Sequence, residues 1–237
     1  MTERIYSTDA YAKSMDAVVL ENDREDGRVL LDKTVFYPGG GGQPHDIGDL
    51  VIGDDRLAVT RVAQDITGVW HWLEGGLPDA GTPLVGEVDW DRRYEMMRTH
   101  TAMHAMCGVV WHRYHSPVTG GNMKAGVGRL DFELPDWDPD DRQPVEDELN
   151  QQLGLARDVE VSFLPRAEAD ADPSLIRTKI NLLPPDLQEV RVIDIVGLDR
   201  QADGGTHVSS TSEVGSIKIT KIESKGKGFR RIRFDVL

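Results

Sequence analysis

The sequence predicts an α+β protein in two parts, and three features of the pattern carry that reading. Roughly the first ninety residues are a succession of short apolar runs separated by Gly, Pro and Asp clusters. Residues 92–114 then form a Pro-free stretch with one Gly and a high density of Met, Ala and Val. Beyond it, strand-like runs return, mixed with short helical ones.

In the first part, residues 17–20 and 28–31 flank a polar link at 22–27, which is a hairpin signal. Residues 34–37 read as extended and run into Pro38 and four glycines, Gly39, Gly40, Gly41 and Gly42. Residues 57–59, 68–73 and 83–88 are further strand-like runs. Many short strands with Gly/Pro turns fit a small barrel or a sandwich. Residues 92–114 read as a largely buried helix. A strand follows at 128–134, then an exposed acidic link at 135–144 and a helix at 145–155. Next come a strand at 159–164, a short polar helix near 173–179 and a strand at 190–195. Two strands close the chain, at 215–223 and 229–236. The expected division is 1–91, β-rich, and 92–237, α+β with a largely antiparallel sheet.

At 237 residues, with 39% hydrophobic and 29% charged residues, the chain has the make-up of a folded globular protein with a real core. Its 27 Lys and Arg against 41 Asp and Glu leave a net charge of −14. That sum excludes a protein coated in basic surface for nucleic acid. No apolar run approaches the roughly 18 residues of a membrane span, and Met1-Thr2-Glu3-Arg4 leads into polar sequence rather than a signal peptide. Cys107 is the only cysteine, so no internal disulfide is available. A cytoplasmic location is the expectation.

Two segments can carry chemistry. His100-Thr101-Ala102-Met103-His104 places two imidazoles at i and i+4, stacked on one helix face and able to reach one metal ion. The residue after the first His is not Glu, so this is not a zinc-protease motif. Asp203-Gly204-Gly205-Thr206-His207 is a glycine turn in which Asp203 and His207 can converge. Either segment alone is equally a plain helix or a plain turn. Together they supply three imidazoles and one carboxylate, a set that suits Zn²⁺.

The order and spacing of these segments resemble the editing domain of alanyl-tRNA synthetase and its freestanding relatives, the AlaX proteins. The same order holds for Thr34-Val35-Phe36-Tyr37-Pro38-Gly39-Gly40-Gly41-Gly42-Gln43-Pro44, which is similar to the family's glycine-rich motif, and for Val208, Thr211, Gly215 and the stretch from Glu223 to Gly228. The likeness spans nearly the whole chain and fits a medium-length, freestanding member. It implies a small N-terminal barrel-like domain followed by an α+β metal-binding editing domain. The family usually has Cys where Asp203 stands. Zn²⁺ is the first expectation, and because a carboxylate is harder than a thiolate, Mn²⁺ or Fe²⁺ is also admitted. Asp203 is read as a ligand; a three-histidine site that keeps an open position also supports hydrolysis. Cys107 lies on the same helical stripe and is read as a small buried side chain. His45, His71, His112 and His115 are read as surface or structural.

The resemblance implies hydrolysis of the ester joining a wrong amino acid, serine first and glycine second, to the acceptor end of alanine tRNA. Thr34 matches the family threonine assigned to recognition of the serine hydroxyl, and Gln43 is a second polar candidate. No membrane and no obligatory protein partner are implied. Two other readings stay open: a metal-free relative that only binds RNA or a partner, and a metallohydrolase of another small ester. Residues 218–237 carry seven cations against two acids, a net of +5 in a chain otherwise at −19. Lys218, Lys221, Lys225, Lys227, Arg230 and Arg231 are therefore the candidates for holding tRNA.

Overall fold

The structure, a computed structural model, describes residues 2–176 and 187–237. The chain divides into two units, Met1–Tyr94 and Glu95–Leu237. Among the described residues, no helix is long and apolar enough to cross a membrane.

The first unit contains β1 (Glu3–Arg4), β2 (Ser14–Asp23), β3 (Arg28–Leu31), β4 (Lys33–Thr34), β5 (Gly48–Ile52), β6 (Asp55–Gln64), β7 (Val69–Glu74) and β8 (Pro83–Val88). Six of these close into a barrel in the order β2-β3-β7-β6-β5-β8, with every pair antiparallel. Closure leaves no free sheet edge. Along β2, Met15, Ala17 and Val19 point inward while Asp16, Val18 and Leu20 face out, the period of a strand buried on one side. The barrel core adds Val29, Leu31, Phe36, Leu50, Val59 and Val69. The expected strand at 34–37 is cut short. β4 is a two-residue parallel pairing with β1. Its end is set by the Thr34 hydroxyl, which accepts the Phe36 N–H at 3.0 Å and so takes that donor from any ladder.

The glycine-rich segment is a tight turn. Gly39 to Gly42 all have positive φ, from 57° to 134°, a region that L side chains seldom adopt. Gly40 and Gln43 exchange backbone bonds at 3.0 and 2.8 Å across it. The turn is anchored by Asp46, whose carboxylate accepts the Tyr37 N–H at 2.6 Å and pairs with the fully buried Arg93 guanidinium. Arg93 also donates to the carbonyls of Ala10 and Val35, at 3.0 and 2.6 Å.

The second unit holds most of α1 (Trp90–Tyr114), then β9 (Val118–Lys124), β10 (Val127–Glu133), α2 (Arg142–Gly154), β11 (Val159–Pro165), α3 (Arg166–Ala171), β12 (Glu189–Ile195), β13 (Asp199–Ala202), β14 (Ile217–Ser224) and β15 (Phe229–Val236). They form antiparallel sheets in the orders β14-β15-β10-β9 and β11-β12-β13. From Thr99 to Val110 every residue of α1 is buried, which explains why its sequence shows little polar face. Backbone groups of the edge strand β14 are met by side chains of α2. Asn150 bonds both the N–H and the carbonyl of Ile217, and Glu146 accepts the Ile219 N–H at 2.8 Å. Part of the expected polar helix near 173–179 is a 3₁₀ turn at Pro173–Leu175; residues 177–179 lie outside the described residues.

Candidate metal centre

α1 supplies His100 and His104, and the turn after β13 supplies Asp203 and His207. Their ligand atoms all lie within 4.8 Å of one another. Asp203 is central to the group. Its Oδ1 is 3.7 Å from His100 Nε2 and 4.0 Å from His104 Nε2, and its Oδ2 is 3.2 Å from His207 Nε2. The imidazole planes pack closely: His100 and His207 stack at 4.4 Å, and His104 meets each edge-on at 5.1 and 4.6 Å.

The turn is fixed by its own backbone. Asp203 Oδ2 accepts the Gly205 N–H at 2.5 Å. Arg191 on β12 donates to the carbonyls of Asp203 and Gly205, at 3.1 and 2.7 Å. Thr101 stands behind His207: its hydroxyl lies 3.1 Å from His207 Nδ1 and accepts the Val208 N–H at 3.3 Å. Thr101 lies inside the first His motif, yet its sequence signal is only its place beside His100.

The electrostatics favour ligands in their metal-binding forms. Burial pushes His100 down to about 4, against the opposing pull of Asp203. Burial and the two neighbouring imidazoles hold His207 well below its ordinary value. Burial pushes Asp203 upward, but the surrounding histidines outweigh it and leave the carboxyl well below the usual carboxylate range. His100 and His207 are thus held neutral and Asp203 ionised, the forms that bind a divalent ion. A tetrahedral site with bonds of about 2.0–2.1 Å has ligand–ligand edges of about 3.3 Å. The separations from the two Asp203 oxygens, 3.2–4.0 Å, lie at and somewhat above that edge, and the donor set of three imidazoles and a carboxylate is one that suits zinc. Cys107 is buried and lies outside this group.

The other sequence candidates lie elsewhere. Thr34 and Gln43 belong to the first unit and are 0% and 2% exposed. The Thr34 hydroxyl is bonded to His71 Nε2 at 2.8 Å. His71, read as surface or structural, is fully buried, and burial pushes it down to about 4. Much of the basic C-terminal segment is neutralised locally. Lys218 pairs with Glu146, Lys221 with Glu223, and Arg231 with both oxygens of Asp131. Arg233 also pairs with Glu223. Lys225, Lys227 and Arg230, around the β14–β15 turn, form no salt bridge among the described residues.

Comparison with known proteins covers both units. The family model "Threonyl and Alanyl tRNA synthetase second additional domain" matches residues 190–233, which include Asp203 and His207. The model "tRNA synthetases class II (A)" matches residues 5–92. The alanyl-tRNA editing protein AlaX-M of Saccharolobus solfataricus is 36% identical over 239 residues, covering 100% of this chain and 99% of that protein. The AlaX-M protein of Methanosarcina barkeri is 36% identical over 247 residues, covering 100% of both. The alanine–tRNA ligase of Pyrobaculum aerophilum is 36% identical over 244 residues, covering 98% of this chain and 27% of the ligase. End-to-end identity at this level, joined to a barrel unit and an α+β unit bearing a His/His/Asp/His cluster, places the chain in the AlaX-M family of alanyl-tRNA editing proteins.

Proposed function

We propose that this chain is a metal-dependent aminoacyl-tRNA deacylase that edits in trans, removing serine, with glycine as a second candidate substrate, from mischarged tRNA(Ala). The observation that carries this reading is the four-ligand cluster of His100, His104, Asp203 and His207 in a chain that aligns end to end with AlaX-M proteins. A zinc ion held there supplies Lewis-acid polarisation to an ester. His100, His104, His207 and Asp203 would hold that ion, and Thr101 and Arg191 keep His207 and the Asp203 turn in place.

Such an editor answers a limit of binding chemistry. A pocket shaped for alanine rejects serine only by about a hundredfold, because one added hydroxyl is hard to exclude. A second site that hydrogen-bonds the hydroxyl reverses the preference, since alanine leaves that group unpaired. The reading assigns this recognition to Thr34 and Gln43. Both side chains are buried in this structure. The acceptor end of the tRNA is assigned to the basic segment, chiefly to Lys225, Lys227 and Arg230, which form no salt bridge among the described residues.

The test is metal analysis of the purified protein paired with deacylation of Ser-tRNA(Ala) and Ala-tRNA(Ala). Stoichiometric metal and selective loss of serine support the reading. Absence of both leaves a module that only binds RNA. Activity on free seryl esters equal to that on the tRNA ester points to a general small-ester hydrolase.

A further inference from the structure

His104 has a second carboxylate behind it. While its Nε2 faces Asp203 at 4.0 Å, its Nδ1 lies 3.4 Å from Oδ2 of Asp199. Asp199 opens β13 and is 3% exposed. The same Oδ2 accepts a 2.6 Å bond from the Gln201 side-chain amide, two residues along the strand.

The backbone shows how the two elements come so close. Gly108 lies one turn beyond His104 on α1. A Cβ there would sit 2.8 Å from the Leu198 carbonyl oxygen and 3.1 Å from Asp199 Cβ, so only a missing side chain lets the start of β13 lie against the helix. One turn further, His112 Nε2 lies 3.0 Å from the same Leu198 carbonyl oxygen. Positions 104, 108 and 112 share one helix face, and together they dock residues 198 and 199 beside the metal cluster.

We propose that Asp199 is a positioning residue of the metal centre: its carboxylate takes the Nδ1 proton side of His104 and so presents Nε2 to the metal. This rests on the metal-centre reading. A neutral imidazole carries one proton, and a carboxylate at one nitrogen fixes it there and leaves the other nitrogen as the donor to metal. Gln201 keeps the carboxylate turned toward the ring. Thr101 stands in the corresponding place beside His207 Nδ1.

The experiment compares zinc affinity of the wild-type chain and Asp199→Asn by competition with a chromophoric chelator, alongside the melting temperature of each metal-free form. Affinity falling about 10- to 100-fold, with metal-free melting unchanged, supports the proposal. Equal affinity overturns it. Imidazole ¹⁵N spectra of the zinc-loaded wild type decide the point even where Asp199→Asn does not fold. A protonated Nδ1 and metal-bound Nε2 on His104 support the proposal, and binding through Nδ1 overturns it. A wild type that takes up no zinc removes the metal-centre reading itself, an outcome distinct from a wild type that binds zinc and is indifferent to Asp199.

Discussion

The Thr34 hydroxyl and His71 Nε2 lie 2.8 Å apart, sealed inside the first unit. Burial holds His71 down to about 4, against an ordinary value of 6.5. The unfolded chain therefore takes up a proton near pH 6.5 that the folded chain refuses until near pH 4. This contribution is fully present above pH 6.5 and is lost as the pH falls toward 4. Between pH 7 and pH 4.5 the loss from this one group is about 2 kcal/mol. In urea unfolding, His71→Gln, which cannot titrate, is expected to lose that much less than the wild type over the same interval. Parallel pH dependences for the two proteins would exclude His71 as a contributor.

Thr34→Val removes the partner of His71 and the acceptor of the Phe36 N–H. Leaving those buried groups unpaired costs about 1–3 kcal/mol, so the variant should unfold earlier in denaturant. With Thr34 as the serine-recognising group, the ratio of Ser-tRNA(Ala) to Ala-tRNA(Ala) hydrolysis should also fall, and Thr34→Ser, which keeps a hydroxyl, should restore it. A stability loss with unchanged selectivity would leave Thr34 a purely structural residue.

The barrel and the metal cluster were legible for different reasons. Residues 17–20 and 28–31 are short apolar runs around a polar link, whereas the two His-containing segments are each an ordinary pattern alone and gain weight only from their order within the family resemblance. β9 and β13 were not legible. Gly120 and Gly121 give β9 no strand propensity, and β13 is four residues long with a mixed pattern. β5 begins on a glycine and has no clean alternation. The role of Asp199 depends on β13 lying against Gly108, a packing event that no local pattern announces. The basic C-terminal segment is legible as charge, but its pairing with Asp131 and Glu223 follows only from the sheet, and that with Glu146 from α2 lying along β14.

Arg93 and Asp46 form a buried ion pair between the start of α1 and the glycine-rich segment. Removing one partner strands the other charge away from water, which costs about 3–5 kcal/mol. Asp46→Ala should therefore lower the urea midpoint sharply. It also frees the Tyr37 N–H that anchors the glycine turn. Stability within 1 kcal/mol of wild type, on the same order-of-magnitude scale, would show that the pair contributes little beyond its own desolvation.

Charges already paired to carboxylates release few counterions on binding a polyanion. Lys225 and Lys227 form no salt bridge among the described residues, whereas Lys221 is held by Glu223 at 2.9 Å. Each unpaired cation that meets a phosphate should add about 0.7–0.9 to the slope of log K against log salt. Lys225→Ala combined with Lys227→Ala should flatten that slope for tRNA by about 1.5, and Lys221→Ala should change it less. Titrations at several salt concentrations measure both. Equal slopes for all three proteins would place the tRNA contact elsewhere on the chain.

Asp203 stands where the family resemblance leads one to expect Cys, and its position makes the consequence measurable. Its two oxygens divide their attention: Oδ1 faces His100 and His104, while Oδ2 is shared between His207 and the Gly205 N–H. An oxygen bonded to a backbone donor has less charge to give a metal, and a carboxylate is harder than a thiolate. Asp203→Cys places one soft atom near the middle of the three imidazoles and gives up the bond to Gly205. Zinc should then be held more tightly, by about tenfold or about 1.4 kcal/mol, and manganese more weakly. The cobalt(II)-loaded variant should gain a sulfur-to-metal charge-transfer band that the wild type lacks. Zinc and manganese affinities that move together, with no such band, would show that residue 203 does not reach the metal and that His100, His104 and His207 bind it alone.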